Sequence, residues 1–175
     1  MPCELVNDIE DNLCPLILQR QDNDDRFGSL AVCHKSTVII NEREYISAIN
    51  GLKFQATFRE HNNSQITFLL LYRKHQSNVD IFITNLGNIL DQLPIDVVLG
   101  DFNINYLSEK DSSYLRATLE SRLHFEQIVE EATFVSSGNL LDHVYVRQNK
   151  FKSVTNRVIS VYCSDHDGIL VNFEV

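Results

Sequence analysis

The stretch Leu99-Gly100-Asp101-Phe102-Asn103-Ile104-Asn105 (LGDFNIN) decides how the rest of the chain is read. It closes the run IDVVLG (95–100), which has the apolar character of a buried strand. Side chains two apart on an extended segment point the same way. Asp101 and Asn103 would then face one spot, with Phe102 turned into packing. The first is an anionic acceptor, and the second is an amide that both donates and accepts. Such a pair suits holding a water molecule beside a phosphate. Taken alone, GDFN reads more simply as a strand-ending turn, because Gly, Asp and Asn dominate turns.

The chain has 175 residues, enough for one domain with a real core; a chain this size buries roughly 70% of its unfolded surface. With 43% hydrophobic and 22% charged residues, its composition is that of a globular protein without low-complexity tracts. No apolar run approaches the ~20 residues of a membrane span. The beginning MPCELVNDIEDNL is acidic and mixed, unlike a signal peptide, so an intracellular compartment, cytoplasmic or nuclear, is expected. Cys3, Cys14, Cys33 and Cys163 form no CxxC pair. They read as reduced, mostly buried thiols and indicate neither a zinc site nor a disulfide framework. The net charge of −9 argues against a nucleic-acid binder that works through a broad basic surface. It is compatible with an enzyme that gathers carboxylates around a divalent cation, since the ion inverts the local charge.

Residues 1–26 read as an irregular acidic segment and 27–175 as a single domain. SLAVCH (29–34) and STVIIN (36–41) look like the two strands of a hairpin. LKFQATFRE (52–60) alternates as a half-buried strand, and QITFLLLY (65–72) reads as a strand buried on both faces. VDIFITNLGNILDQL (79–93) has helical spacing. SSYLRATLESRLHFEQIVE (112–130) reads as one helix, or as two with a break near His124. NLLDHVYV (139–146), SVTNRVISVYC (153–163) and GILVNFEV (168–175) are expected strands. Strands alternate with helices early and cluster late, which predicts a mixed α/β sandwich.

Four polar clusters fall at or near strand ends, where an α/β scaffold places reacting groups. Tyr72 ends QITFLLLY; Asp101 and Asn103 follow IDVVLG; Asp142 lies inside NLLDHVYV; Ser164-Asp165-His166 separates the last two strands. A carboxylate flanked by Leu140, Leu141, Val144 and Val146 is costly to bury unpaired, and a histidine is its natural partner. His166 would then act as a general acid/base or as a donor to a phosphoryl oxygen, with Asp142 fixing its tautomer and favouring its cation. Asp165 cannot share that direction on an extended segment. It would point elsewhere, for instance to a hard cation. Each cluster has a plain reading: SDHD as a polar turn, Tyr72 as a core aromatic with a wet hydroxyl. His34, His61, His75, His124 and His143 show no ligand spacing and read as ordinary residues.

Taken together and in order, LLLYRKH, VVLGDFNIN, LLDHVYV and YCSDHDGILV resemble the endonuclease/exonuclease/phosphatase superfamily. Its members include deoxyribonuclease-type enzymes, apurinic endonucleases, inositol polyphosphate 5-phosphatases and endonuclease domains of non-LTR retrotransposons. FGSLAVCHK (27–35) and the segment QIVEEATF are most similar to the mobile-element branch. The resemblance implies a four-layered α/β sandwich of two mixed sheets flanked by helices. It implies that Asp101 orients or deprotonates the attacking water and that Asn103 helps hold water and phosphate. Tyr72 would contact the scissile phosphate, Asp142 would pair with His166, and Ser164 would support the phosphate. Asp165 would belong to the metal side. The implied reaction is Mg²⁺-assisted phosphoester hydrolysis, with Mn²⁺ as a substitute and no small-molecule cofactor.

The sequence departs from the family at its beginning. Family members open with a strand ending in a catalytic Asn and a second carrying a metal-binding Glu. Neither strand is visible here, so the N-terminal strands are missing or altered. Glu4 stands near where that Glu falls, but without an apolar strand before it, and an ungapped placement puts Cys3 there instead. The resemblance therefore covers the C-terminal two-thirds of the domain, and an unpaired sheet edge with exposed apolar surface is expected. The leading reading is an endonuclease nicking DNA without membrane attachment, with the rest of a mobile-element polyprotein as a possible partner. The alternatives are an inactive truncated relic, a phosphatase acting on a small phosphate ester, and a non-catalytic binding module.

Overall fold

A computed structural model describes residues 13–18, 30–35, 37–58 and 64–175 of the chain. Its elements are β1 (Leu13–Leu18), β2 (Leu30–Lys35), β3 (Val38–Ile46), β4 (Gly51–Phe58), β5 (Gln65–Tyr72), α1 (Val79–Gln92), β6 (Val97–Asp101), α2 (Glu109–Arg116), β7 (Phe125–Gln127), β8 (Asp142–Arg147), β9 (Ser153–Ile159) and β10 (Gly168–Glu174). Six strands form one mixed sheet in the order β3-β4-β5-β6-β8-β7. Its single parallel pair is β5 with β6, because α1 carries the chain back to the same end of the sheet between them. Asn78 caps α1 by accepting the Ile81 N–H at 2.9 Å. The extended Leu93 before Pro94 ends it.

Strand alternation divides the core in two. On one face Leu69, Leu71, Val98 and Tyr145 bury Phe82, Ile83, Leu86 and Leu90 of α1, with Leu115 of α2. On the other, Leu52, Phe54, Ile66, Phe68, Val97, Val144 and Val146 meet a second layer built from two antiparallel ribbons, β1 with β2 and β9 with β10. Leu30 and Val32 come from the first ribbon, and Val154, Val158, Ile169, Val171 and Phe173 from the second. The architecture is thus an α/β sandwich: helices, a six-stranded sheet, and a smaller second sheet layer. Among the described residues each ribbon lacks a third strand, and Ile159 and Leu170 lie exposed on the second.

Several sequence expectations are corrected. Leu13–Leu18, read as part of an irregular segment, pairs with β2 from Leu13↔Lys35 to Leu18↔Leu30. The run LCPLIL is short and set among acidic neighbours, and its Pro15 is tolerated because, among the described residues, β1 has a partner on one edge only. SLAVCH and STVIIN do not form a hairpin. The nine-residue β3 pairs instead with β4, from Val38↔Phe58 to Ile46↔Gly51, a longer register than the six-residue β2 offers. The helical segment expected over 112–130 breaks near His124, as one of its two readings had it, but no second helix follows. After α2 it widens into a π-helical turn, Ala117–Arg122, and His124 takes a positive φ of 57°. Phe125–Gln127 then pairs with β8 as an edge strand, burying Phe125 completely. Three residues are too few for strand alternation to show against a helical pattern. The cysteines also differ from expectation: Cys33 is an exposed free thiol, and Cys163 is disulfide-bonded. Glu4, Cys3 and His61 lie outside the described residues. No helix among the described residues is long and apolar enough to cross a membrane.

Candidate active site

Sheet register sets Tyr72, Asp101 and Asp142 in one row. Tyr72 of β5 is the partner of Asp101 of β6, which in turn is the partner of Asp142 of β8. By alternation all three lie on the face that carries Phe68, Val97 and Val144, toward the second layer. Gly100 makes this row possible. Its φ is 137°, and a Cβ there would stand 1.9 Å from the Leu71 carbonyl oxygen. Only glycine lets β6 approach β5 so closely at this point.

Asp101 and Asn103 do meet, but not by strand alternation. The strand ends at Asp101, and Asn103 is left-handed with φ 48°. The Asn103 N–H donates to Asp101 Oδ1 at 2.8 Å, and Asn103 Nδ2 donates to Oδ2 at 2.9 Å. This is an Asx turn whose side chain closes back on the same carboxylate. Phe102 is fully buried, stacked on the His143 ring at 4.5 Å.

Arg73, which the sequence reading passed over, fixes this turn from beneath. It is 3% exposed. Its Nε donates to the Phe102 carbonyl at 2.6 Å, Nη2 to the Asn103 carbonyl at 2.6 Å, and Nη1 to the Ser77 carbonyl at 2.7 Å. Asn103 Nδ2 returns a bond to the Arg73 carbonyl at 2.8 Å. An arginine after a strand-ending tyrosine carries no sequence signal for such a role, because its acceptors are backbone atoms 29 and 30 residues away.

His166 reaches the row from the second layer. Its Nδ1 lies 2.7 Å from Asp142 Oδ2, so the partnership expected from the sequence is formed. Burial works against the charged ring, but the hydrogen bond and charge of Asp142 outweigh it and hold the His166 pKa above its ordinary value. Burial pushes the Asp101 carboxyl up, opposed by the Asn103 N–H bond and helped by the nearby Asp142 charge. Thr133, also passed over, is fully buried and accepts the Leu141 and Asp142 N–H groups at 3.1 Å through Oγ1. Its carbonyl accepts the Asp167 N–H at 2.7 Å, so one residue ties the start of β8 to the His166 turn. Ser164 Oγ accepts the His166 N–H at 3.0 Å, shaping that turn. Asp165 is exposed on the turn; its carbonyl accepts the Val135 N–H at 3.0 Å.

Ligand atoms of Asp101, Asp142 and His166 lie within 4.8 Å of one another. His166 Nδ1 is committed to Asp142, so what this set offers an ion is carboxylate oxygen, the donor preferred by hard cations. A half-buried pair of carboxylates, one pushed up by burial and by the other, fits a divalent cation nearby. A cleft of about 750 Å³ opens beside the site, lined by Arg73, Asn103, Tyr114, Phe134, Asn139 and His166.

No family model matches the chain, and no curated protein matches it. Solved structures do. The endonuclease domain of TRAS1, a telomere-specific non-LTR retrotransposon, superposes with a TM-score of 0.71 at 13% identity, covering 93% of this chain and 78% of that one. The Bacteroides thetaiotaomicron mannosyl-6-phosphatase Bt3783 gives 0.67 at 12% identity, over 94% and 78%. The Neisseria 3′ phosphatase NExo, bound to product DNA hairpin, gives 0.61 at 13% identity, over 100% and 84%. At such identities the likeness establishes the fold: the chain has the α/β sandwich of the endonuclease/exonuclease/phosphatase proteins.

Proposed function

We propose that this protein is a metal-dependent phosphoesterase, a hydrolase that nicks DNA by hydrolysing a phosphodiester. One observation carries the reading: the Asp142 and His166 pair, 2.7 Å apart, stands beside the Asp101 and Asn103 turn at the strand ends. A scaffold without chemistry has no need to gather two carboxylates and a histidine in a half-buried place. The structural likeness to a retrotransposon endonuclease domain supports the mobile-element type, with DNA as substrate and the remainder of a polyprotein as partner.

In this reading Asp101, held in orientation by both donors of Asn103, takes a proton from the attacking water as the new P–O bond forms and the opposite one breaks, the departing oxygen taking its proton from solvent to leave as the alcohol. A carboxyl lifted by burial is the better base for that step. His166, its Nδ1 held by Asp142, keeps Nε2 for a phosphoryl oxygen, and its raised pKa favours the donating cation. Tyr72 contacts the phosphate from the neighbouring strand. Asp165, with no side-chain hydrogen bond among the described residues, keeps its carboxylate for the cation, to which Asp101 and Asp142 add negative potential. Mg²⁺, or Mn²⁺ in its place, held by these carboxylates, would supply positive charge beside the phosphoryl oxygens.

The test is incubation of supercoiled plasmid with Mg²⁺ and the purified protein, beside an Asp101→Ala preparation made identically. Mg²⁺-dependent nicking by the parent alone is expected. Equal nicking by both preparations assigns the activity to a contaminant, and no nicking by folded parent rejects the endonuclease reading. Release of phosphate from a monoester without nicking would assign the site to small phosphate esters, a use that the phosphatases of this fold illustrate.

A further inference from the structure

Asn105 closes the stretch LGDFNIN and takes no part in the proposed hydrolysis. Its Oδ1 accepts the Leu107 and Leu140 N–H groups, each at 3.2 Å. Both donors are backbone groups, so the acceptor end of this amide is settled, and its Nδ2 is the end that donates to Asn139 Oδ1, at 3.0 Å. That bond settles the second amide in turn. With Oδ1 engaged, Asn139 has Nδ2 left over, a donor with no hydrogen-bond partner among the described residues.

Backbone pairing places Asn139 in a second row. Phe134 bridges to Asn139 on one side and to His166 on the other, both antiparallel. The Phe134 N–H donates to the Asn139 carbonyl at 2.9 Å. On the other side the Val135 N–H donates to the Asp165 carbonyl at 3.0 Å and the Asp167 N–H to the Thr133 carbonyl at 2.7 Å. These bonds flank Phe134 and His166 as a closely opposed pair, and their rings lie 4.9 Å apart. Opposed residues share a face, so His166, Phe134 and Asn139 stand side by side, and all three line the cleft of about 750 Å³. The two pairings put the His166 and Asn139 Cα atoms about 10 Å apart.

The Phe134 ring thus stands between two groups that face the same space: His166, with Nε2 available for a phosphoryl oxygen, and the Asn139 amide. A substrate that meets both runs across the ring and carries an oxygen acceptor beyond it, because Nδ2 only donates. Charge gives no such direction, since Lys110 and His75 line the cleft together with Asp80 and Asp111.

We propose that Asn139 is a specificity-determining donor: a nucleoside flanking the scissile phosphate lies across Phe134, and Asn139 Nδ2 donates to one of its oxygens. The site then favours a nucleotide diester over a small phosphate ester. This proposal rests on the phosphoesterase reading of the site. The test is amide NMR of the protein in EDTA, titrated with the dinucleotide dTpdT and separately with dimethyl phosphate. The Asn139 side-chain pair is identified by its loss in Asn139→Leu. In the parent, dTpdT shifts this pair and leaves that of Asn41, on the far edge strand β3, in place. Asn139→Leu binds dTpdT about fivefold more weakly. Dimethyl phosphate, which has nothing to cross Phe134, leaves the Asn139 pair unmoved. An Asn139 pair that dTpdT does not shift, equal Kd in parent and Asn139→Leu, or no binding of dTpdT by the parent overturns the proposal. A shift caused by dimethyl phosphate also overturns it, by placing the amide at the scissile phosphate. If Asn139→Leu melts below the parent, the shifts in the parent decide. Parent hydrolysis of bis(p-nitrophenyl) phosphate with Mg²⁺ is read separately: its absence removes the phosphoesterase reading, while the titrations still decide the Asn139 contact.

Discussion

Asp142 and His166 lie 24 residues apart in the chain, yet His166 Nδ1 and Asp142 Oδ2 are 2.7 Å apart, bridging the six-stranded sheet and the ribbon layer that packs on it. Asp142 begins β8, and His166 sits on the turn between β9 and β10. The contact therefore reports whether the two layers are correctly docked as well as which ring nitrogen faces substrate.

Replacing Asp142 by Asn keeps the shape but cannot favour the imidazolium. Activity of Asp142→Asn is expected to fall at least about 100-fold, in the range of general acid-base contributions. The His166 titration, followed by NMR, moves down from its raised value, because the charge that offset burial is gone. A variant whose His166 titrates as in the parent would show that Asp142 is not what sustains the charged ring.

Gly100→Ala places a Cβ 1.9 Å from the Leu71 oxygen at a φ of 137°. We expect a loss of more than about 3 kcal/mol in urea unfolding, or insoluble protein. Gly138→Ala is the control: its φ is 69°, but a Cβ there meets nothing within 4 Å, so only the left-handed penalty of about 1–2 kcal/mol applies.

Arg73→Met keeps bulk and removes every donor to the Phe102, Asn103 and Ser77 carbonyls. Unpaired buried acceptors cost about 1–3 kcal/mol each, and a net loss of about 3 kcal/mol is expected by urea unfolding. Arg73→Lys recovers only part of this, because an ammonium cannot span the three carbonyls as a planar fork does. Activity should fall in both variants wherever the Asp101 and Asn103 turn loosens.

Stability should decline on the acid side because of His143. Burial drives its pKa from 6.5 down to about 4, against the backbone bonds to Ile104 and Leu140. Below pH 6.5 the unfolded chain takes up a proton that the folded ring refuses. Stability from this group is thus complete above 6.5 and is lost as pH falls toward about 4; the change is on the order of 3 kcal/mol. Urea midpoints measured across that window in the parent and in His143→Gln check it: the variant should lose most of the slope.

Millimolar Mg²⁺ or Mn²⁺ should raise the melting temperature of the parent, since an ion that binds only the folded state stabilises it by mass action. The rise should shrink in Asp165→Ala and in Asp101→Ala. A rise of the same size in all three proteins would place the ion elsewhere.

Local patterns carried much of this protein. The apolar runs of β4, β5, β6 and α1 were legible because each is long enough to show its period, and Pro94 punctuates the end of the helix. Asp142 announced a partner because an acid among Leu140, Leu141, Val144 and Val146 is too costly to bury alone. The order of GDFN, LLDH and SDH pointed to the fold that the structural neighbours share.

What the sequence could not decide was partnership between distant backbones. β2 lies next to β3 in sequence, but each found its register elsewhere, because pairing energy follows the matching strand rather than the nearest one. Phe125 and Val129 fit a helix by spacing, yet His124 turns the chain into an edge strand. Arg73 and Thr133 act through carbonyls and N–H groups, which every residue possesses and no sequence pattern marks. The sequence by itself determined which side chains were available for chemistry. Tertiary structure decided their geometry, since sheet register set Tyr72, Asp101 and Asp142 in one row and layer packing delivered His166 to it.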